Sequence, residues 1–211
     1  TAQAILEANV EDGANRKFVC VQLPQPTEKG SDANAAGYST IADIGIARIK
    51  KVIEQIQTKP KDLFADKENK SDLGFKIYKL APSNFKVWDT TLEKSPDVIQ
   101  QKLFDHIQHI SPEAQQEAIL YELLLKSGFE LTTPIETLTL AGKTVFSIAD
   151  GQLLICLEKE MTHDCIKAMA EKEPSRVICL DEAFTGTNAD ALKTNAVQIM
   201  KSKGVVNFRT V

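Results

Sequence analysis

Short apolar runs recur along this chain, each too brief for a helix. They are KFVCVQL (17–23), FKIYKL (75–80), VFSI and LLICL within 143–157, RVICL (176–180) and VVNFRTV (205–211). Between them lie stretches with apolar residues at helical spacing: Ile49, Val52, Ile53 and Ile56 with Ile46 nearby, then Ile99, Leu103 and Ile107, then Leu192, Ala196 and Ile199. Strand runs alternating with amphipathic helices specify an α/β sheet. At the start, Ala2, Ile5, Leu6 and Ala8 form a helical stripe, residues 9–15 break it, and Lys17 to Leu23 read as a buried strand.

Punctuation sharpens the pattern. LPQPTEKGSDANAAG (23–37) is a polar, Pro- and Gly-rich loop. Thr40 with Asp43 is a capping box at the head of the next helix. TKPKDLFADKENKSD (58–72) is polar and aperiodic, a surface loop or linker. Ser95-Pro96 and Ser111-Pro112-Glu113 both look like helix starts, and Gly128 ends the second of those helices. Ala149-Asp150-Gly151 turns a hairpin over 143–157. Thr162 starts a helix that stops before Pro174, and a last helix ends at Gly204. The closing VVNFRTV is expected to be a strand rather than a free arm.

Composition removes several classes. With 43% apolar and 26% charged residues over 211 positions, the chain reads as an ordinary globular protein. A net charge of −4 gives no global basic field. No apolar run approaches the length of a membrane helix, and the start has no secretory pattern. Cys20, Cys156, Cys165 and Cys179 form no CxxC pair and read as reduced core thiols of a cytoplasmic protein. His163 with Cys165 is too sparse for a metal site, and no second pair has ligand spacing. There is no phosphate loop and no dinucleotide fingerprint. Asp181-Glu182 stands at a strand end, where exposed charge is the plain reading. Lys193, Lys201 and Lys203 read as a solvated helix face.

The first strand carries more. In doubly wound folds a nucleotide-like cofactor crosses the carboxyl ends of the strands, and a side chain ending the second strand reaches the ribose hydroxyls. Gln22 stands at that place. Its amide donates and accepts, so it suits a diol. Pro24 would then wall the adenine. The alternative is that Gln22 simply ends a strand.

TAQAILEAN followed by NRKFVCVQLPQP resembles the stretch just after the cofactor motif of adenine-specific DNA methyltransferases, above all the modification subunits of type III restriction–modification systems. The resemblance continues through YSTIADIGIARIKKVIEQI, LGFKIYKLAPSNFKVWD, LYELLLKSGFELTTPIE and VFSIADGQLLICL, and closes with LDEAFTGTNADALKTNAVQIMKSKGVVNFRTV. In that family a strand and a Phe-x-Gly-x-Gly turn precede the first helix and hold S-adenosylmethionine against its N-terminus. Thr1 would be the last residue of that motif. The family's catalytic Asp-Pro-Pro-Tyr is not in this sequence, so no catalytic residue is assigned. Many related methyltransferases carry Asp or Glu where Gln22 stands; the type III branch usually carries Gln.

The resemblance implies a C-terminal fragment of an enzyme that methylates the exocyclic amine of a flipped adenine. Residues 1–90 would be the last part of a Rossmann-like methyltransferase sheet, and residues 91–211 a C-terminal mixed α/β assembly domain. The implied partners are DNA, a second modification subunit and the restriction subunit. The fragment alone is expected to be inactive. The competing reading is a non-enzymatic interaction module that binds no cofactor.

Overall fold

The computed structural model describes residues 1–58, 72–86, 95 and 110–211. The helix expected after Ser95, the expected loop over 59–71, and His106 and His109 lie outside the described residues. The chain divides into two compact units, Thr1–Lys79 and Leu80–Val211. Among the described residues no helix is long and apolar enough to cross a membrane.

In the first unit, α1 (Ala2–Asp12) and α3 (Ile41–Thr58) pack together, with α2 (Asp32–Ala35) in the loop between them. Ala2, Leu6 and Val52 are the buried apolar residues. Gln3 ties the helices at the surface by accepting from Arg48 Nη2 at 2.9 Å. The expected capping box forms. The Thr40 N–H donates to Asp43 Oδ2 at 2.9 Å, and the Asp43 N–H donates back to Thr40 Oγ1 at 3.2 Å.

The strands expected at 17–23 and 75–80 do not form among the described residues; the bridge Pro26–Thr40 is the pairing seen in this unit. Val19, Val21 and Leu23 are 84%, 93% and 68% exposed. Cys20 is exposed too, against its expected place in a core. The reason is physical: a strand's hydrogen bonds belong to its neighbours, and an apolar run earns burial only from elements laid over both faces. No described segment supplies either here.

The second unit holds a five-stranded mixed sheet: β1 (Ile135–Leu140), β2 (Lys143–Ile148), β3 (Leu153–Cys156), β4 (Arg176–Cys179) and β5 (Asn207–Thr210), adjacent in that order. The first two pairings are antiparallel and the last two parallel. Parallel neighbours need crossovers, supplied by α5 (His163–Ala170) between β3 and β4 and α6 (Ala189–Ser202) between β4 and β5. These two helices touch each other. Every residue of β3 is buried, as are Val177, Ile178 and Cys179 of β4, so the central strands are covered on both faces.

Local chemistry explains the joints. Ala149, Asp150 and Gly151 turn the expected hairpin with φ of 51°, 54° and 87°. Thr162 caps α5 by accepting from the Cys165 N–H at 3.2 Å. α4 (Gln116–Lys126) begins later than Ser111-Pro112 suggested, because that signal forms a turn closed by Ala114 N–H to the Ser111 carbonyl at 2.9 Å. Its end is as expected. Gly128, at φ 83°, donates to the Leu125 carbonyl (3.0 Å) and Phe129 to that of Leu124 (3.1 Å), the paired bonds of a Schellman motif.

The chain enters this unit through a latch on α4. Glu122 is 16% exposed and bridges Lys126 Nζ at 2.7 Å. It also accepts from Ser83 Oγ (2.5 Å), the Asn84 N–H (2.7 Å) and Asn84 Nδ2 (2.8 Å). Beyond it Phe85 bridges to Ile110, and Lys126 sits 4.6 Å over the Phe85 ring.

Candidate functional site

α1 ends at Gly13, whose φ of 73° suits glycine. Asn9, 3% exposed, then fixes the exit of the chain. Its Nδ2 donates to the Arg16 carbonyl (2.9 Å) and its Oδ1 accepts from the Arg16 N–H (3.0 Å). The Arg16 guanidinium grips Asp12 through two bonds of 3.0 and 2.5 Å. That pairing, with the Ala14 N–H, lowers the Asp12 pKa to about 2. Substituting Asn9 by Ala is expected to cost about 2 kcal/mol, since both Arg16 backbone groups lose their partner. A melt of the Asn9→Ala chain within error of the unaltered one would contradict this.

Residues 17–25, which follow this turn, are exposed apart from a half-buried Phe18, and of the three residues expected to hold a cofactor Gln22 and Pro24 lie within this stretch and Thr1 outside it. Thr1 stands just ahead of α1, and its carbonyl accepts from the Ile5 N–H at 3.1 Å. Gln22 is exposed and donates from Nε2 to the Leu23 carbonyl at 3.1 Å. Pro24 is exposed. No hydrogen bond among the described residues joins the three. The loop beyond folds back on itself. The Thr27 N–H donates to the Ser39 carbonyl (3.0 Å), Thr27 Oγ1 to the Tyr38 carbonyl (2.7 Å) and the Ile41 N–H to the Gln25 carbonyl (2.9 Å). Residues 22–24 therefore lie between the Asn9 turn, which ends at Arg16, and this closed loop.

In the second unit the strand ends are occupied by their own contacts. Lys193 pairs with Asp181 at the surface, and both side chains remain solvated. Lys143 reaches Glu160 at 3.8 Å, and Glu158 accepts from the Thr144 N–H at 3.0 Å. Cys156, Cys165 and Cys179 are buried and free. The hydrogen bond Cys165 gives to Cys156, together with burial, raises the Cys165 pKa, and the same bond lowers that of Cys156. Burial raises that of Cys179. Cys165 and Cys179, held protonated, are poor nucleophiles and poor metal ligands. No cluster of metal-ligating side chains occurs among the described residues, which leaves His163 and Cys165 without a third ligand.

No family model matches the chain. It is 30% identical over 200 residues to the Mod subunit of the type III restriction-modification enzyme EcoP15I from Escherichia coli, which covers 92% of this chain and 27% of that subunit. It is 27% identical over 200 residues to the EcoPI Mod subunit of Escherichia phage P1, covering 92% of this chain and 28% of that protein. The StyLTI Mod subunit of Salmonella typhimurium is 36% identical over 81 residues, 38% of this chain and 12% of its own length. The chain thus spans little more than a quarter of the first two relatives. Along nearly its whole length, it is a relative of the Mod subunits of type III restriction-modification enzymes.

Proposed function

We propose that this chain is the C-terminal part of a DNA methyltransferase of the type III modification class, which moves a methyl group from S-adenosylmethionine to the exocyclic amine of adenine. The observation that supports the reading is similarity to Mod subunits over 92% of the chain. Residues 1–90 are the last part of the Rossmann-like catalytic sheet on this reading, with 17–23 a strand whose neighbours come from the rest of the subunit. The exposure of Val19, Val21 and Leu23 supports it, because such a run is suited to burial on both faces. Residues 91–211 form the assembly domain, which meets a second modification subunit and the restriction subunit.

The residues of this chain suit S-adenosylmethionine in chemistry. The cofactor carries a methyl sulfonium, the group that is transferred, beside a ribose diol and an adenine. Gln22 offers a neutral amide to the diol, Pro24 an apolar wall to the adenine, and Thr1 a place at the N-terminus of α1. The Asp-Pro-Pro-Tyr that holds the target amine in this class is not in the sequence. The chain is expected to bind the cofactor weakly and to transfer nothing by itself, while the whole enzyme acts on DNA in the cytoplasm.

Calorimetry tests the assignment. In the longer subunit, Gln22→Ala is expected to weaken cofactor binding by about 1 kcal/mol, the net worth of a neutral hydrogen bond, with the melt unchanged. Unchanged affinity would make Gln22 a structural residue only. Tight binding by the 211-residue chain alone would overturn the division of labour.

A further inference from the structure

β5 closes one edge of the sheet. Its bonds to the neighbouring chain use alternate residues. The Asn207 N–H donates to the Ser175 carbonyl (3.2 Å), the Val211 N–H donates to that of Cys179 (2.9 Å), and the Val211 carbonyl accepts from the Asp181 N–H (2.7 Å). Backbone groups of successive strand residues point to opposite edges. The N–H and C=O groups of Val206, Phe208 and Thr210 therefore face outward, where no described residue bonds them. Such a row is a template for another strand.

The two edges of the sheet are not alike. The β1 edge exposes the charged Glu136, a residue that discourages pairing. Beside β5 lies a cleft of about 310 Å³, lined by Val197, Met200, Val205, Val206 and Phe208, with Lys201 as its charged member. Val206 is 88% exposed. The exposed charges nearest in sequence are all basic: Lys201, Lys203 and Arg209. A second copy docked about a two-fold axis would bring these cations together. An acidic segment would meet them with opposite charge.

We infer that the outer edge of β5 docks an extended, acidic segment of another protein chain, which adds a sixth strand and places alternate apolar side chains in the cleft. The inference rests on reading this unit as an assembly domain.

Two synthetic hexapeptides test it on the 211-residue chain, one alternating Val with Glu and the other Val with Lys. The acidic peptide is expected to bind in the micromolar range and to slow amide exchange at Val206, Phe208 and Thr210 by about tenfold. The basic peptide does neither. Thr210→Pro removes an outward donor and leaves the β4 ladder whole, so binding falls by about tenfold with the melt unchanged. Arg209→Glu weakens binding by a similar factor through charge alone. Equal binding of both peptides, binding of neither, or a dimer of this chain that Thr210→Pro abolishes would each overturn the inference. A chain that binds the acidic peptide yet associates with no partner subunit would sink the assembly reading and leave the docking edge standing.

Discussion

Deleting residues 205–211 is expected to lower the stability of the second unit by about 3 kcal/mol and its Tm by roughly 10 °C. The lost ladder bonds net only about 1 kcal/mol each, and seven released residues recover chain entropy of similar size. What decides the sign is the surface left behind. Val177, Cys179, Ala196 and Met200 are all fully buried. Without β5, the backbone of β4 becomes a bare edge beside apolar side chains. The shortened chain should therefore also aggregate with rising concentration, visible by light scattering. A truncated chain that melts like the whole one would show that β5 contributes nothing to the sheet.

Replacing Glu122 by Gln is expected to cost about 2 kcal/mol and to flatten the acid limb of the stability curve. Burial alone would raise the pKa of this carboxyl. The Lys126 ammonium, the Ser83 hydroxyl and the two Asn84 donors outweigh it and hold the pKa at about 2, against the usual 4.5. A group depressed in the folded state contributes stability above its unfolded pKa. That contribution fades as pH falls from about 4.5 towards 2. Melts at neutral pH and across this window check both parts. If Glu122→Gln and the unaltered chain lose stability in parallel as pH falls, the latch is not what titrates.

How much the sequence revealed depended on where each element finds its partners. RVICL and LLICL are correctly readable as strands because their neighbours, β2 and β5, lie within the same stretch of chain. KFVCVQL is likewise rich in apolar residues, yet no described residue pairs with it. Apolar composition states what a segment suits, while the ladder depends on what stands beside it. β1 was missed for the opposite reason. IETLTL alternates threonine with leucine at one end only, and it turns into β2 through Ala141-Gly142, both at positive φ, without the Asn-Gly or Asp-Gly that marks such hairpins. Ser111-Pro112-Glu113 reads as a helix start, but the chain spends it on a turn before α4. The capping pair Thr40–Asp43 and the helix start at Thr162 are local and legible. The Glu122 latch was not, because it joins residues far apart in sequence that carry no motif. Strand-end logic singles out Gln22 and Pro24, yet no strand forms there among the described residues, and the turn built by Asn9, Asp12 and Arg16 gives no signal beyond a polar break after α1.

The central claim is that this chain is part of a methyltransferase whose chemistry resides elsewhere in the subunit. Incubation with tritium-labelled S-adenosylmethionine and unmethylated DNA of mixed sequence tests it most directly, run in parallel on the 211-residue chain and on a full-length subunit containing it. The account predicts label on adenine with the full subunit and background with the chain. Transfer by the chain alone, label on cytosine, or no transfer by the full subunit would contradict it.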